Sequence, residues 1–273
     1  MTTNNNIAFI GGGNMASAII GGLLKSGAAP GRIQVVEPFE EHRGKLKTQF
    51  GVQVNDSPGP SLADAAMVVW AVKPQTFKDA ALQTRPHTQA ALHLSVAAGI
   101  RSGSIAHWLG TERVVRSMPN TPALVGKGIT ALFARSAVTA ADHTAVERVI
   151  ETTGEYLWLG DEAHLDAVTA LSGSGPAYVF YFIEAMIEAG VAMGLTREQG
   201  HKLAVATFVG ASSLAEASNE PPEILRARVT SKGGTTYAAL TSMEQDKVKT
   251  LFMRAMYAAR QRAHELGDEF GAA

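Results

Sequence analysis

Short apolar runs recur along the first half of the chain, and stretches with helical spacing separate them. Ile7–Ile10 predicts a first strand and Ala16–Ser26 the helix after it, with Gly27 as its C-cap. Ile33–Glu37, Val52–Val54, Met67–Val72, Ala91–Ala97, Ile129–Phe133 and Glu155–Leu159 predict further strands. Met67–Val72 is apolar throughout, as a strand buried on both faces would be. Asp56–Pro60 reads as a loop, Ser102–Leu109 as a short helix capped by Ser102, and Ala140–Thr153 as a longer helix. Strand and helix alternate, which predicts an α/β fold with a parallel, doubly wound sheet. Near Gly160 the pattern changes. From Glu162 onward only helical periodicity is found: Asp166–Leu171, Pro176–Met193, a helix capped by Thr196 and running to Ala217, Glu223–Val229, Tyr237–Met243 and Lys247–Leu266. Two domains are expected, residues 1–160 and 161–273. The helix from Pro176 is apolar nearly all round and calls for burial on most sides, within its domain or between subunits.

Composition narrows the function classes. The 273 residues are 46% apolar, enough for a full core, and the net charge of −1 gives no electrostatic case for nucleic acid or an anionic membrane. No cysteine is present, which excludes disulfides, thiolate catalysis and zinc–sulfur sites and fits a cytoplasmic protein. The histidines show no metal-ligand spacing, so no metal site is expected. The opening Met1–Asn6 is polar and lacks the basic and apolar regions of a signal peptide. The most apolar stretch, Ala177–Ile183, is too short and too close to Glu184 and Glu188 to span a bilayer.

Two stretches carry candidate chemistry. Gly11, Gly13 and Ala16 fit the G-x-G-x-x-G/A dinucleotide fingerprint between the first strand and helix. Gly11 permits the tight turn, Gly13 lets a pyrophosphate approach the backbone, and Ala16 keeps helix and strand close. The N–H groups of Gly12, Gly13, Asn14 and Met15 lie where a phosphate would be held. The alternative is a plain connecting turn. Glu37 stands where an acid meets the adenosine ribose, and a carboxylate there favours NAD over NADP. Glu37 could equally be a solvated strand-end residue, and Arg43 could reach a phosphate, so the choice between NAD(H) and NADP(H) stays open. Lys73 and Pro74 follow the buried strand Met67–Val72 at its carboxyl end, where ligands of such sheets sit; a loop lysine stopped by proline is the plainer reading. Ser231-Lys232-Gly233-Gly234-Thr235-Thr236 has the composition of an anion cradle, with bare backbone, hydroxyls and a helix start. It fits a substrate carboxylate, and a well-capped helix start is the alternative.

Together these stretches resemble the pyrroline-5-carboxylate reductase family along nearly the whole chain. The likeness includes Gly11–Ala16, Val72-Lys73-Pro74-Gln75, Ser95–Gly99, Met118-Pro119-Asn120-Thr121-Pro122, Asp166–Thr169 with Leu171–Tyr178, and Val229–Ser231 with Gly233–Thr236. The last two are the specific ones. The resemblance implies a Rossmann domain followed by a helical substrate-binding and dimerisation domain, with dimers that assemble into larger rings. It implies that Gly11–Ala16, Ala71–Pro74, Ala97 and Asn120 line the NAD(H) or NADP(H) cofactor. It implies that Ser231, Gly233, Gly234, Thr235 and Thr236 hold a cyclic imino acid by its carboxylate and ring nitrogen, with Glu162 near the substrate and Thr236 the catalytic candidate. Lys232 departs from the family's usual proline, which frees φ and adds a cation; Arg228 replaces a neutral polar residue. The implied reaction is reduction of 1-pyrroline-5-carboxylate to L-proline, the last step of proline biosynthesis. A β-hydroxyacid dehydrogenase is the nearest rival, but Pro176–Met193 has no lysine to serve as its base. A non-catalytic dinucleotide sensor would need no 231–236 cradle.

Overall fold

The computed structural model describes residues 6–271; the polar opening, residues 1–5, lies outside them. Contacts divide the chain into two compact units, Met1–Ser174 with Ala259–Ala273, and Gly175–Ala258.

The first unit opens with β1 (Ile7–Ile10), α1 (Asn14–Lys25), β2 (Ile33–Val36), α2 (Glu40–Phe50) and β3 (Gln53–Asn55). It continues with β4 (Met67–Trp70), α3 (Pro74–Thr84), β5 (Leu92–Ser95), α4 (Ser102–Leu109) and β6 (Val114–Met118). After these come β7 (Gly128–Ala134), α5 (Ala140–Ile150), β8 (Gly154–Trp158) and α6 (His164–Val168). A turn of π-helix, Thr169–Gly173, follows α6, so the chain stays coiled where the sequence predicts a break. The eight strands form one sheet in the order β3-β2-β1-β4-β5-β6-β7-β8. Successive side chains of a strand face opposite ways, and the register turns this into two cores. Val35, Phe9, Val69, Leu94 and Val115 line up across five strands and join Ile19, Ile20 and Leu46 on one face. Ala8, Ile10, Val36, Val68, Trp70 and Val114 pack on the other with Phe77, Ile105 and Trp108.

The sheet is not wholly parallel. β6 is a strand the apolar pattern misses, and β7 runs antiparallel to it, with Arg116 opposite Phe133. The stretch 119–127 between them is too short for the helical crossover that a parallel pair requires. β8 returns parallel to β7. At the start of α5, Thr139 and Asp142 form a capping box. Asp142 also accepts from Arg113 Nε at 3.0 Å and Nη2 at 2.6 Å, and the guanidinium holds its carboxyl down at about 2. His93 of β5 is buried; its Nδ1 accepts from Trp70 Nε1 at 3.1 Å, and burial lowers its pKa to about 4.

The second unit contains α7 (Gly175–Ala192), α8 (Arg197–Ala217), α9 (Pro222–Arg228), α10 (Thr235–Gln245) and the first part of α11 (Val248–Gly271). Thr196 caps α8, as the sequence predicts, and the Gln199 side chain accepts the Thr196 N–H in return. α7 packs along α8, where Gly200 lies against the Ile187 backbone. Tyr178 and Phe182 meet Phe252 edge-on at 5.5 and 5.6 Å between ring centres. Only Ile187 and Gly190 of α7 are fully buried, while Phe180 and Tyr181 are exposed. No described helix is long and apolar enough to cross a membrane.

Candidate active site

The order of strands reverses direction between β1 and β4, so the helices that follow them lie on opposite faces and a crevice opens at the carboxyl ends of the two strands. Gly11, Gly12 and Gly13 leave β1 at this crevice. Gly11 has φ +93°, and a Cβ there would lie 2.5 Å from the Ala71 carbonyl oxygen, so only glycine fits. The Gly11 N–H donates to Val36 O at 2.8 Å and the Ala71 N–H to Ile10 O at 2.8 Å, tying the turn to both neighbouring strands. Gly13 is the N-cap of α1 and has open space where its Cβ would stand. No side chain caps α1, and its first turn holds no acid, so its N–H groups and dipole are left for an anion. These are the features a pyrophosphate requires. Asn14 is exposed and Met15 half-buried at the first turn, whereas Ala16 is fully buried and acts in packing.

The remaining residues expected at the cofactor fall on the same edge of the sheet. Glu37 follows β2 and is buried, not a solvated strand end. Its Oε2 accepts the Gly12 N–H at 2.9 Å and its Oε1 the Phe39 N–H at 3.0 Å. Val72 is half-buried, and exposed Lys73 is the N-cap of α3 with Pro74 in the first turn. Ala97 follows β5 and is buried, its N–H on Ser95 Oγ at 3.3 Å. The Asn120 amide is engaged at both ends, accepting from the Ile129 N–H at 3.0 Å and donating to Ser172 O at 3.2 Å. That side chain therefore holds the 119–122 loop.

In the second unit, residues 231–236 turn into α10. Gly233 has φ +76°, and the Gly234 N–H donates to Ser231 O at 3.0 Å. A Cβ on Gly234 would stand 2.6 Å from Ser231 Oγ, so glycine lets the serine hydroxyl fold over the helix start. Gly234 is the N-cap and brings no side chain to the first turn, which contains no acid. The well-capped helix start that the sequence left open is not what forms. Thr235 is exposed, Thr236 half-buried, and Lys232 exposed. Arg228 grips Glu220 through both nitrogens at 2.6 and 2.7 Å, and so closes the chain around α9.

Glu162, expected near the substrate, is engaged within the first unit. Its Oε1 accepts the Ser102 N–H at 2.6 Å and Arg116 Nη1 at 2.9 Å, and its Oε2 the Ser102 hydroxyl at 2.5 Å. Ser102 is therefore the first residue of α4 and not its cap, which is Arg101. Sequence reasoning missed buried Arg116; a basic residue within an apolar strand was the available signal.

Residues 162–266 match the family model described as pyrroline-5-carboxylate reductase dimerisation, and residues 6–99 match that of NADP oxidoreductase, coenzyme F420-dependent. A pyrroline-5-carboxylate reductase from Pseudomonas aeruginosa is 43% identical over 97% of this chain and 98% of its own. The Pisum sativum enzyme of that name is 37% identical over 97% of both. The chain belongs to the pyrroline-5-carboxylate reductase family. Members of this family are oxidoreductases that catalyse the last step of proline biosynthesis with NAD(P)H. The structure of a pyrroline-5-carboxylate reductase from Coxiella burnetii superposes with a TM-score of 0.89 at 37% identity, covering 97% of this chain and 99% of that one. The Plasmodium falciparum pyrroline carboxylate reductase, solved with NADP bound, gives 0.88 at 29% identity, covering 97% and 98%.

Proposed function

We propose that this member of the pyrroline-5-carboxylate reductase family works through two stretches of its own residues, the turn at 11–16 and the loop at 231–236. The observation that carries the reading is the pair of helix starts, α1 and α10, each opened by glycine and each without a side-chain cap. At the first, the N–H groups of Gly13, Asn14 and Met15 hold the cofactor's pyrophosphate, with Ala71–Pro74 and Ala97 along the crevice. Bound NAD(P)H supplies the hydride that adds to the imine carbon. At the second, the Ser231 hydroxyl and the N–H groups of Gly233, Thr235 and Thr236 hold the substrate carboxylate by charge-assisted hydrogen bonds. Thr236 accepts from or donates to the ring nitrogen and fixes which carbon faces the cofactor. A threonine hydroxyl is a weak acid, so Thr236 orients and relays, and the proton arrives with the iminium or from solvent. Most of the rate then comes from placing donor and acceptor together. Glu162 holds Arg116 and the start of α4.

Thr236→Ala tests the assignment. Turnover with 1-pyrroline-5-carboxylate should fall by about a hundredfold or more, in the range for one positioned proton-transfer group, while NAD(P)H affinity stays. Unchanged turnover would remove Thr236 from the mechanism. We also propose that the exposed apolar residues of the second unit, among them Phe180, Tyr181, Leu203 and Leu214, are covered in a homodimer that assembles into a ring. Light scattering that gave only a monomer would contradict this.

A further inference from the structure

We propose that Glu37 makes this enzyme select NADH over NADPH. The proposal rests on the dinucleotide site assigned above, and it settles a choice that residue types alone leave open. Glu37 follows β2, the strand beside β1, and so lies where the adenosine ribose meets the sheet. Its carboxylate cannot swing away. The side chain is only 6% exposed, and its two oxygens are held separately by the Gly12 and Phe39 N–H groups at 2.9 and 3.0 Å. Each carboxylate oxygen has a further lone pair. The fixed carboxylate can therefore accept the two ribose hydroxyls of NADH without giving up the turn. A phosphate on the 2′-oxygen would set nearly two negative charges against a third that is pinned in place.

The surroundings do not offset that repulsion. Glu40 and Glu41 stand in the first turn of α2, so two like charges occupy the helix end whose dipole would otherwise favour a phosphate. Arg43 turns Nη1 inward, onto the carbonyl oxygens of Glu37 at 2.9 Å and Pro38 at 2.6 Å. Its guanidinium therefore ties the first turns of α2 back onto Glu37 and Pro38. Lys45 is paired with Glu41 at 2.6 Å. His42 is half-exposed, with Nδ1 3.8 Å from Glu37 Oε1.

Direct binding decides the matter without turnover. The wild-type protein and Glu37→Gln are titrated calorimetrically with NADH, NADPH, ADP-ribose and 2′-phospho-ADP-ribose. Wild type is expected to bind each unphosphorylated compound at least about tenfold more tightly than its 2′-phosphate, equivalent to about 1.4 kcal/mol. Added salt should narrow the gap. Glu37→Gln keeps an oxygen for one of the two N–H groups, loses the charge, and should bring the ratio near unity. The wild-type comparison stands even if the variant folds poorly. Equal or tighter wild-type binding of the phosphorylated compounds would overturn the proposal, as would an NADH preference unchanged in Glu37→Gln. Failure of all four compounds to bind would refute the dinucleotide site and remove the basis of the proposal with it.

Discussion

Replacing Glu162 by alanine separates a supporting role for this carboxylate from a substrate contact. Arg116 has a side chain only 5% exposed, and Glu162 is its ion-pair partner at 2.9 Å. The same carboxylate also accepts the N–H and hydroxyl of Ser102 at the opening of α4. Truncation leaves a buried guanidinium and a helix-start N–H without that acceptor. Breaking a buried pair from one side costs about 3–5 kcal/mol. Glu162 is 22% exposed, so water reaches the gap, and about 2–4 kcal/mol is the expected loss. For a unit of this size each kcal/mol lowers Tm by about 2–4 °C, giving a total drop of about 5–15 °C. Urea and thermal unfolding measure it. The double variant Arg116→Met/Glu162→Leu should recover most of the loss, because an apolar pair replaces the stranded charge. A stability loss under about 1 kcal/mol, together with a large rise in KM for 1-pyrroline-5-carboxylate, would refute this reasoning and return Glu162 to the substrate.

Other outcomes follow from the same structure. His93 has its pKa lowered from 6.5 to about 4, so the unfolded chain binds the proton first as pH falls. Stability is therefore full above about pH 6.5 and declines towards pH 4, by up to about 3 kcal/mol from this group; urea midpoints across that range, absent the slope in His93→Leu, would show it. Gly11→Ala and Gly13→Ala should differ in kind. The first places a Cβ 2.5 Å from Ala71 O at φ +93° and should cost about 1–3 kcal/mol or more of stability. The second meets no atom within 4 Å, so its stability cost should be limited to exchanging a glycine N-cap for alanine, about 1 kcal/mol, while the methyl weakens NAD(P)H binding, as thermal unfolding and calorimetric titration would reveal.

Much of this molecule is written locally. The β1–turn–α1 unit, the Thr196 cap of α8 and the glycine-opened helix start at 231–236 each depend on residues a few positions apart, and the sequence pattern locates all three. β6 escaped because two buried polar residues, Arg116 and Ser117, interrupt its apolar run. Their partners, Glu162 and the Ser95 carbonyl, are distant in sequence. The antiparallel turn into β7 was legible in principle from the short connection, which leaves no room for a crossover helix. Glu37 shows the limit of spacing arguments. Its position pointed to the ribose, but its burial and its hold on the Gly12 N–H depend on how the start of α2 folds back onto the end of β2. Asn120 was expected at the cofactor through the family likeness alone; its bonds to Ile129 and Ser172 lie too far along the chain for spacing to show them.

The central claim is that this chain reduces a cyclic imino acid at the 231–236 loop with a hydride from a nicotinamide bound at the 11–16 turn. The purified protein should be incubated with 1-pyrroline-5-carboxylate and NADH or NADPH, with nicotinamide absorbance and proline followed together. One proline should form for each nicotinamide oxidised, at a rate that falls in Thr236→Ala and Gly13→Ala. No oxidation with either nicotinamide, or oxidation without proline, would contradict the claim.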